Sequence, residues 1–277
     1  MLAGYLGTSN RQMVLGIGAL NINQLDPSQF SQGSALLQTV PNPFYRAGGP
    51  GFINSRTITR AQSLLPFPQF STVSLSNSDQ NHARYDAFVL KAQKRMAMGL
   101  SFVSTWTYSK NMDASWSGPG SNLNSAGAIQ SAYDVNAEYA LAVVDATHRC
   151  TTAFTYELPF GKGRSMLANN KVLNIVAGGW SINAVSVYQS GFPLTITQQS
   201  NNNGVLGASG QRPNATGVSS AATGSFAQRL DGWINPAAFT QAPQFTFGNL
   251  SRSSNLRGPG QASLGYVDLT SVRLEVK

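Results

Sequence analysis

The stretch Gly99–Lys110, "GLSFVSTWTYSK", decides how the rest of the chain is read. From Leu100 onward it alternates. Leu100, Phe102, Ser104, Trp106 and Tyr108 fall at even positions, with Ser101, Val103, Thr105, Thr107 and Ser109 between them. Successive side chains of a strand point to opposite faces, so this is a strand with one greasy face and one hydroxyl-rich face. The greasy face needs a cover. The two covers to weigh are the core of a soluble sandwich and lipid.

The same period recurs on both sides. Over Arg84–Met96, Phe88, Leu90 and Ala92 oppose Lys91, Gln93 and Arg95, and the "AMG" turn at Ala97–Gly99 joins this strand to the quoted one as a hairpin. Over Arg149–Leu158, Cys150, Phe154, Tyr156 and Leu158 oppose Thr151, Ala153, Thr155 and Glu157. Further on, Trp180, Ile182, Ala184 and Tyr188 oppose Ser181, Asn183 and Gln189, and Leu194–Thr197 extends this strand or begins another. Leu2–Ser9, Phe70–Ser76 and Leu264–Val276 are further candidate strands; few helices are expected. The connections differ in size. Asn10–Ala61, Asn111–His148 and Gln198–Gln261 are long and rich in Asn, Gly, Ser and Pro, while Ala97–Gly99 is tight and "PFGKGRSMLANNK" after Leu158 is moderate.

Charged residues make up only 11% of the 277 positions, against roughly 25% in ordinary soluble domains. The net charge is +8, but the Lys and Arg residues are scattered and their densest group, Lys91, Lys94 and Arg95, is short. No basic stripe with interleaved aromatics appears, so no nucleic-acid partner is expected. Cys150 is the one cysteine, which excludes an intrachain disulfide and a cysteine zinc cluster; it reads as a small buried hydrophobe. No run approaches the roughly 20 apolar residues of a membrane helix. "MLAGYLGTSN" lacks a basic n-region and a long apolar core, so it is no signal peptide. It reads as a strand, and Met1 is expected to be an internal methionine or a misplaced start in a longer chain.

Three features favour lipid over a soluble core. The second face of each strand carries Ser, Thr, Asn, Gln, Lys and Arg, which suits a watery lumen. Tight and moderate turns alternate with long loops, as in outer-membrane barrels. Aromatic residues end the greasy faces: Trp180 and Tyr188 stand ~26 Å apart along a strand, or ~20 Å in height at a ~40° tilt, against an apolar band ~25 Å tall. Strands of about 10 to 13 residues also exceed the ~5–6 usual in soluble proteins. The fold expected is all-β, an antiparallel transmembrane β-barrel fragment with long extracellular loops, and the alternative is a soluble or cell-surface β-sandwich that binds carbohydrate.

Several quoted segments resemble a known family. "NHARYDAFVLKAQKRMAMGLSFVSTWTYSKNMD" resembles a hairpin of TonB-dependent outer-membrane receptors, closest to the Oar-like branch that carries a carboxypeptidase-regulatory-like domain. "DATHRCTTAFTYELPFGKGRSM" is similar to the next strand and periplasmic turn. "GGWSINAVSVYQSGFPLTI" is similar to the following ascending strand, and "GWINPAAFTQAPQFTFGNLSRSSNLRGPG" to the loop before one of the last strands. The likeness is clearest from Phe70 to Gly260. It implies a nutrient transporter of the bacterial outer membrane, in which a 22-stranded barrel surrounds a plug and a TonB box couples uptake to the proton-motive force. The partners implied are outer-membrane lipid, the remaining barrel and plug of a parent receptor, the TonB energy-coupling complex and a small nutrient ligand. Residues 1–277 would form a partial barrel domain without plug, TonB box or closing strands, since "ASLGYVDLTSVRLEVK" departs from the family's usual ending. Lys91, Gln93, Arg95, Thr105, Thr107, Asn183 and Gln189 would line the lumen. Asp145, His148 and Arg149 match a polar position common in the family, read as a loop anchor.

Catalytic signals are thin. HExxH, CxxC, EF-hand and Walker patterns are absent, and "FGKGR" reads as a turn, so no metal and no cofactor are expected. A Ser-His-Asp site could draw on His148 or His82 with Asp145 or Asp113. Without a GxSxG elbow these read instead as rim residues that hydrogen-bond locally, and no enzymatic activity is expected. Asn214–Thr216 and Asn249–Ser251 fit the glycosylation sequon by chance. Trp116, Tyr133, Tyr139 and Trp233 lie in or beside the loops, either as stacking platforms for a flat ligand or packing their own loops.

Overall fold

The computed structural model describes residues 1–13, 20–75, 78–114, 129–160, 166, 179–199, 203–207, 210–230 and 232–271. Its frame is one antiparallel sheet of six long strands: β1 (Leu2–Met13), β2 (Asn81–Ala97), β3 (Leu100–Asp113), β4 (His148–Glu157), β5 (Trp180–Gln189) and β6 (Gln261–Ser271). They lie in the order of the chain, each paired with the next, so the sheet is an up-and-down meander. The short strand Ala140–Leu141 pairs with the outer end of β3. The sheet is open, with β1 and β6 at its edges. The strands run from 10 to 17 residues, while roughly 9–11 tilted residues cross a bilayer.

The β2–β3 hairpin turns on two residues, with Ala97 opposite Leu100. Met98 and Gly99 have φ of 51° and 77°, the left-handed pair of a type I′ turn whose twist matches that of the strands. Gly99 is further constrained because a Cβ there would stand 2.7 Å from the carbonyl oxygen of Glu157. The other connection at this end follows β4, and those at the opposite end are long: residues 14–80, 114–147 and 190–260. We call them loops A, B and C.

The buried apolar core lies in these loops. Leu25, Leu36, Ala61 and Leu65 of loop A close around Leu206 and Phe245 of loop C, and Leu20 of loop A packs on Ile129 and Val135 of loop B. Backbone bonds tie the same partners: the Leu25 N–H donates to the Leu206 carbonyl at 2.9 Å. The large hydrophobics of the sheet are instead half-buried or exposed, among the latter Tyr5 at 70%, Tyr108 at 50% and Tyr188 at 53%. That distribution inverts a soluble β-protein, and no second sheet covers the apolar face among the described residues.

Some boundaries depart from expectation. β1 runs to Met13 rather than Ser9 because β2 supplies a partner as far as Asn81, across a bulge. Among the described residues of Phe70–Ser76 only Ser74–Leu75 is a strand, paired with Leu20–Asn21. The Phe67 and Phe70 carbonyls are taken by the Asn23 amide at 3.0 and 2.8 Å, which leaves no ladder there. Leu194–Thr197 neither extends β5 nor starts a strand. Leu194 exchanges backbone bonds with Leu256 and Ser254 inside loop C. The expected strand Leu264–Val276 begins three residues earlier, at Gln261, and residues 272–277 lie outside the described set, as does Trp116. Cys150 is half-buried rather than buried, 3.9 Å from the hydroxyls of Ser104 and Thr152.

Candidate functional site

Register sorts the side chains of the sheet into two faces, because directly opposed residues share a face. On the first face Tyr5, Phe88, Tyr108 and His148 form one row across β1–β4, and Leu90, Trp106, Cys150 and Tyr188 form the row beneath it across β2–β5. Trp106 and His148 rings stack at 5.8 Å and 15°, and Phe88 meets Trp106 edge-on at 6.5 Å. This makes a belt of aromatic rings near the loop end. Phe102, Phe154 and Ala184 follow two rows lower, then Leu100, Tyr156 and Ile182, with Trp180 at the hairpin end. Above the belt, Arg84 donates to Asp86 at 2.7 Å and Tyr5 donates to it at 2.5 Å.

The second face carries the residues expected to line a lumen. Lys91 stands opposite Thr105, which stands opposite Thr151. Thr107 stands opposite Arg149, and Arg149 opposite Gln189. Gln93 pairs with Val103, and Asn183 with Thr155. Arg95 lies at the bulge before the hairpin, where register shifts. The structure therefore brings six of the seven onto one face by pairing and leaves Arg95 at its margin. Two features were not foreseen. Arg149, read from the resemblance as part of a loop anchor, belongs to this face. On β1 the face turns apolar, since Leu2 and Leu6 sit opposite Lys91 and Ala87.

The three loops form a cap over the outer end of the sheet, fastened by three arginines of loop C. Arg212 grips Glu138 of loop B with two prongs, Nη1 to Oε2 at 2.6 Å and Nη2 to Oε1 at 2.9 Å, with side chains 7% and 0% exposed. Arg252 pairs with the Asp113 carboxylate at the tip of β3 and donates to the Glu138 carbonyl at 3.1 Å. Arg257 pairs with Asp145 and donates to its carbonyl at 2.7 Å, while the Asp145 Oδ1 accepts the Asn111 N–H at 2.5 Å. Loop B contains acids and no Lys or Arg, and loop C supplies the opposite charge. Removing such carboxylates from water is costly, and the paired guanidinium groups offset that cost. Ala87 and Ser109, opposite one another on the second face, are buried beneath this cap; the Ser109 hydroxyl donates to the Ala146 carbonyl at 2.9 Å.

The acids considered for hydrolytic chemistry thus hold arginines. His148 lies in the aromatic belt, and His82 stacks on Tyr139 at 4.4 Å. Tyr139 therefore packs against its own rim. Tyr133 donates to the Gln24 carbonyl at 3.2 Å, and Trp233 donates to the Arg257 carbonyl at 2.5 Å. Among the described residues no three His, Cys, Asp or Glu side chains gather as a metal site.

A meander of long strands with an aromatic belt, an exposed apolar face and a cap of long loops at one end is the layout of an outer-membrane barrel wall. A family model described as an outer membrane beta barrel domain matches residues 1–267. The chain belongs to that family. Comparison with curated proteins and with solved structures finds no match. This outer-membrane barrel chain is accordingly a protein of the bacterial outer membrane, associated with its lipid. Open edges on β1 and β6 leave backbone donors and acceptors that hydrocarbon cannot satisfy.

Proposed function

We propose that this chain forms part of the barrel wall of a TonB-dependent-receptor-like transporter, with its aromatic-belted face toward lipid and its second face toward a water-filled lumen. Further strands of a longer parent would pair with β1 and β6, and a plug and energy-coupling segment would come from the same parent. The observation that carries this reading is the division of labour along the sheet. One face holds rings in rows, and the other passes from Thr, Gln, Lys and Arg residues to a cap fastened by buried ion pairs. A passive pore needs no cap of that kind, whereas a receptor needs a fixed outer surface to select a small nutrient. The sandwich alternative requires a second sheet on the apolar face, and the described residues place none there.

The test is uptake of candidate nutrients by cells producing the parent protein, with and without an uncoupler of the proton-motive force. Uptake that stops on uncoupling supports the proposal. Uptake indifferent to the uncoupler indicates a passive pore and overturns it.

A further inference from the structure

The cationic side chains of the second face differ from those of the cap in one respect: no acid answers them. Arg212, Arg252 and Arg257 each hold a carboxylate, and on the other face Arg84 holds Asp86. Lys91 and Arg149 are exposed and make no salt bridge among the described residues. The acids whose register puts them on the same face stand away from this pair. Asp113 is held by Arg252 under the cap, and Glu157 stands opposite Ser181 toward the hairpin end.

Register also fixes what lies between the two cations. Lys91 is opposite Thr105 and Arg149 opposite Thr107, with β3 running between them. Lys91 and Arg149 are two strands and one same-face row apart, so their Cα atoms stand ~12 Å from one another. Side chains of that length can reach the space over Thr105 and Thr107, and Gln189 stands opposite Arg149. A guanidinium fork, an ammonium, two hydroxyls and an amide offer donors from several directions and no fixed negative charge. That is the chemistry that recognises a carboxylate or phosphate oxygen.

We propose that Lys91, Thr105, Thr107, Arg149 and Gln189 form an anion-binding site on the lumenal face at the level of the aromatic belt, toward the loop end, and that the solute this protein handles carries carboxylate or phosphate groups. The inference rests on the reading of this face as water-facing. It does not require that transport be energised.

The probe is citrate, titrated into the full chain folded in detergent micelles, with the amide resonances of Thr105, Thr107 and Gln189 as readout and spermidine as the oppositely charged control. Saturable citrate shifts at these amides are expected, with none from spermidine. Lys91→Gln/Arg149→Gln should weaken citrate binding about tenfold or more, whereas Lys110→Gln, on the other face, should leave it unchanged. Lys91→Glu/Arg149→Glu should exchange the preference, so that spermidine binds and citrate does not; this gain cannot come from misfolding. Equal citrate binding by parent and Lys91→Gln/Arg149→Gln, or no saturable shift in the folded parent, overturns the site. Citrate binding without energised uptake overturns the transport proposal and leaves the site standing. Energised uptake without citrate binding does the reverse.

Discussion

Arg212 and Glu138 meet through two parallel hydrogen bonds, at 2.6 and 2.9 Å, with the carboxylate fully buried. Glu138 does more than pair. Its Oε1 also accepts the Gln130 N–H at 3.0 Å, and its carbonyl accepts from Arg252. One residue of loop B thus receives two arginines of loop C. Glu138→Ala should leave the buried Arg212 guanidinium without its carboxylate, while the backbone carbonyl still accepts from Arg252, and cost the cap about 3–5 kcal/mol. Proteolysis of loops B and C should accelerate while the sheet resists. Cleavage at the parental rate would show that the pair does not fasten the cap.

Phe154 lies midway between the Tyr188 row and Trp180, which places it at the centre of the apolar face. Phe154→Arg should lower folding stability in lipid vesicles by about 2–4 kcal/mol, the cost of a charge at the bilayer midplane. Its neighbour Thr155, on the other face opposite Asn183, should tolerate arginine. Denaturant titration of both variants in vesicles measures the difference. Similar losses would remove the assignment of the faces.

The hairpin turn offers opposite outcomes at adjacent positions. Met98 is 93% exposed at a φ of 51°, a conformation Asn adopts more readily, so Met98→Asn should stabilise by up to about 1 kcal/mol. Gly99→Val adds a branched Cβ at a φ of 77° and against the Glu157 carbonyl, and should cost about 1–3 kcal/mol. Unfolding midpoints that move in the same direction for both would contradict the type I′ turn.

Asp26 caps the helical segment Pro27–Leu37 by accepting from the Ser28 N–H at 2.9 Å, and the bonds from Ser28 hold its carboxyl below the usual range. A carboxyl lowered in the folded state stabilises above its unfolded pKa of about 3.9 and ceases to do so as pH falls through the lowered value. Acidification from pH 7 should therefore loosen loop A in the parent. Asp26→Asn, which can still cap but does not titrate, should lack that increment in hydrogen-exchange protection of Ser28 and Gln29. Identical pH profiles would assign the effect elsewhere.

Alternation is legible in the residues themselves, because a period of two is local. Thr105 and Thr107 must share a face, and so must Lys91 and Gln93, whatever the strands pair with. The hairpin is equally local, with Gly99 at its turn. What alternation leaves open is which face of β3 matches which face of β4. That pairing sets Arg149, already in step with Thr151 along β4, opposite Thr107. β1 shows the other limit: Leu2 and Leu6 obey the period, yet register puts them on the face that elsewhere is polar.

The long strands of the sheet, their two-faced character and the alternation of tight turns with long loops were legible in the residues alone, since each depends on residues a few positions apart. The cap was not legible in this way, because its partners are distant in the chain. Glu138 and Arg212 are 74 residues apart, Asp145 and Arg257 are 112, and Asp113 and Arg252 are 139. Nothing local marks these residues as partners, and a buried charge acquires its counter-charge only when the loops that carry them fold against one another.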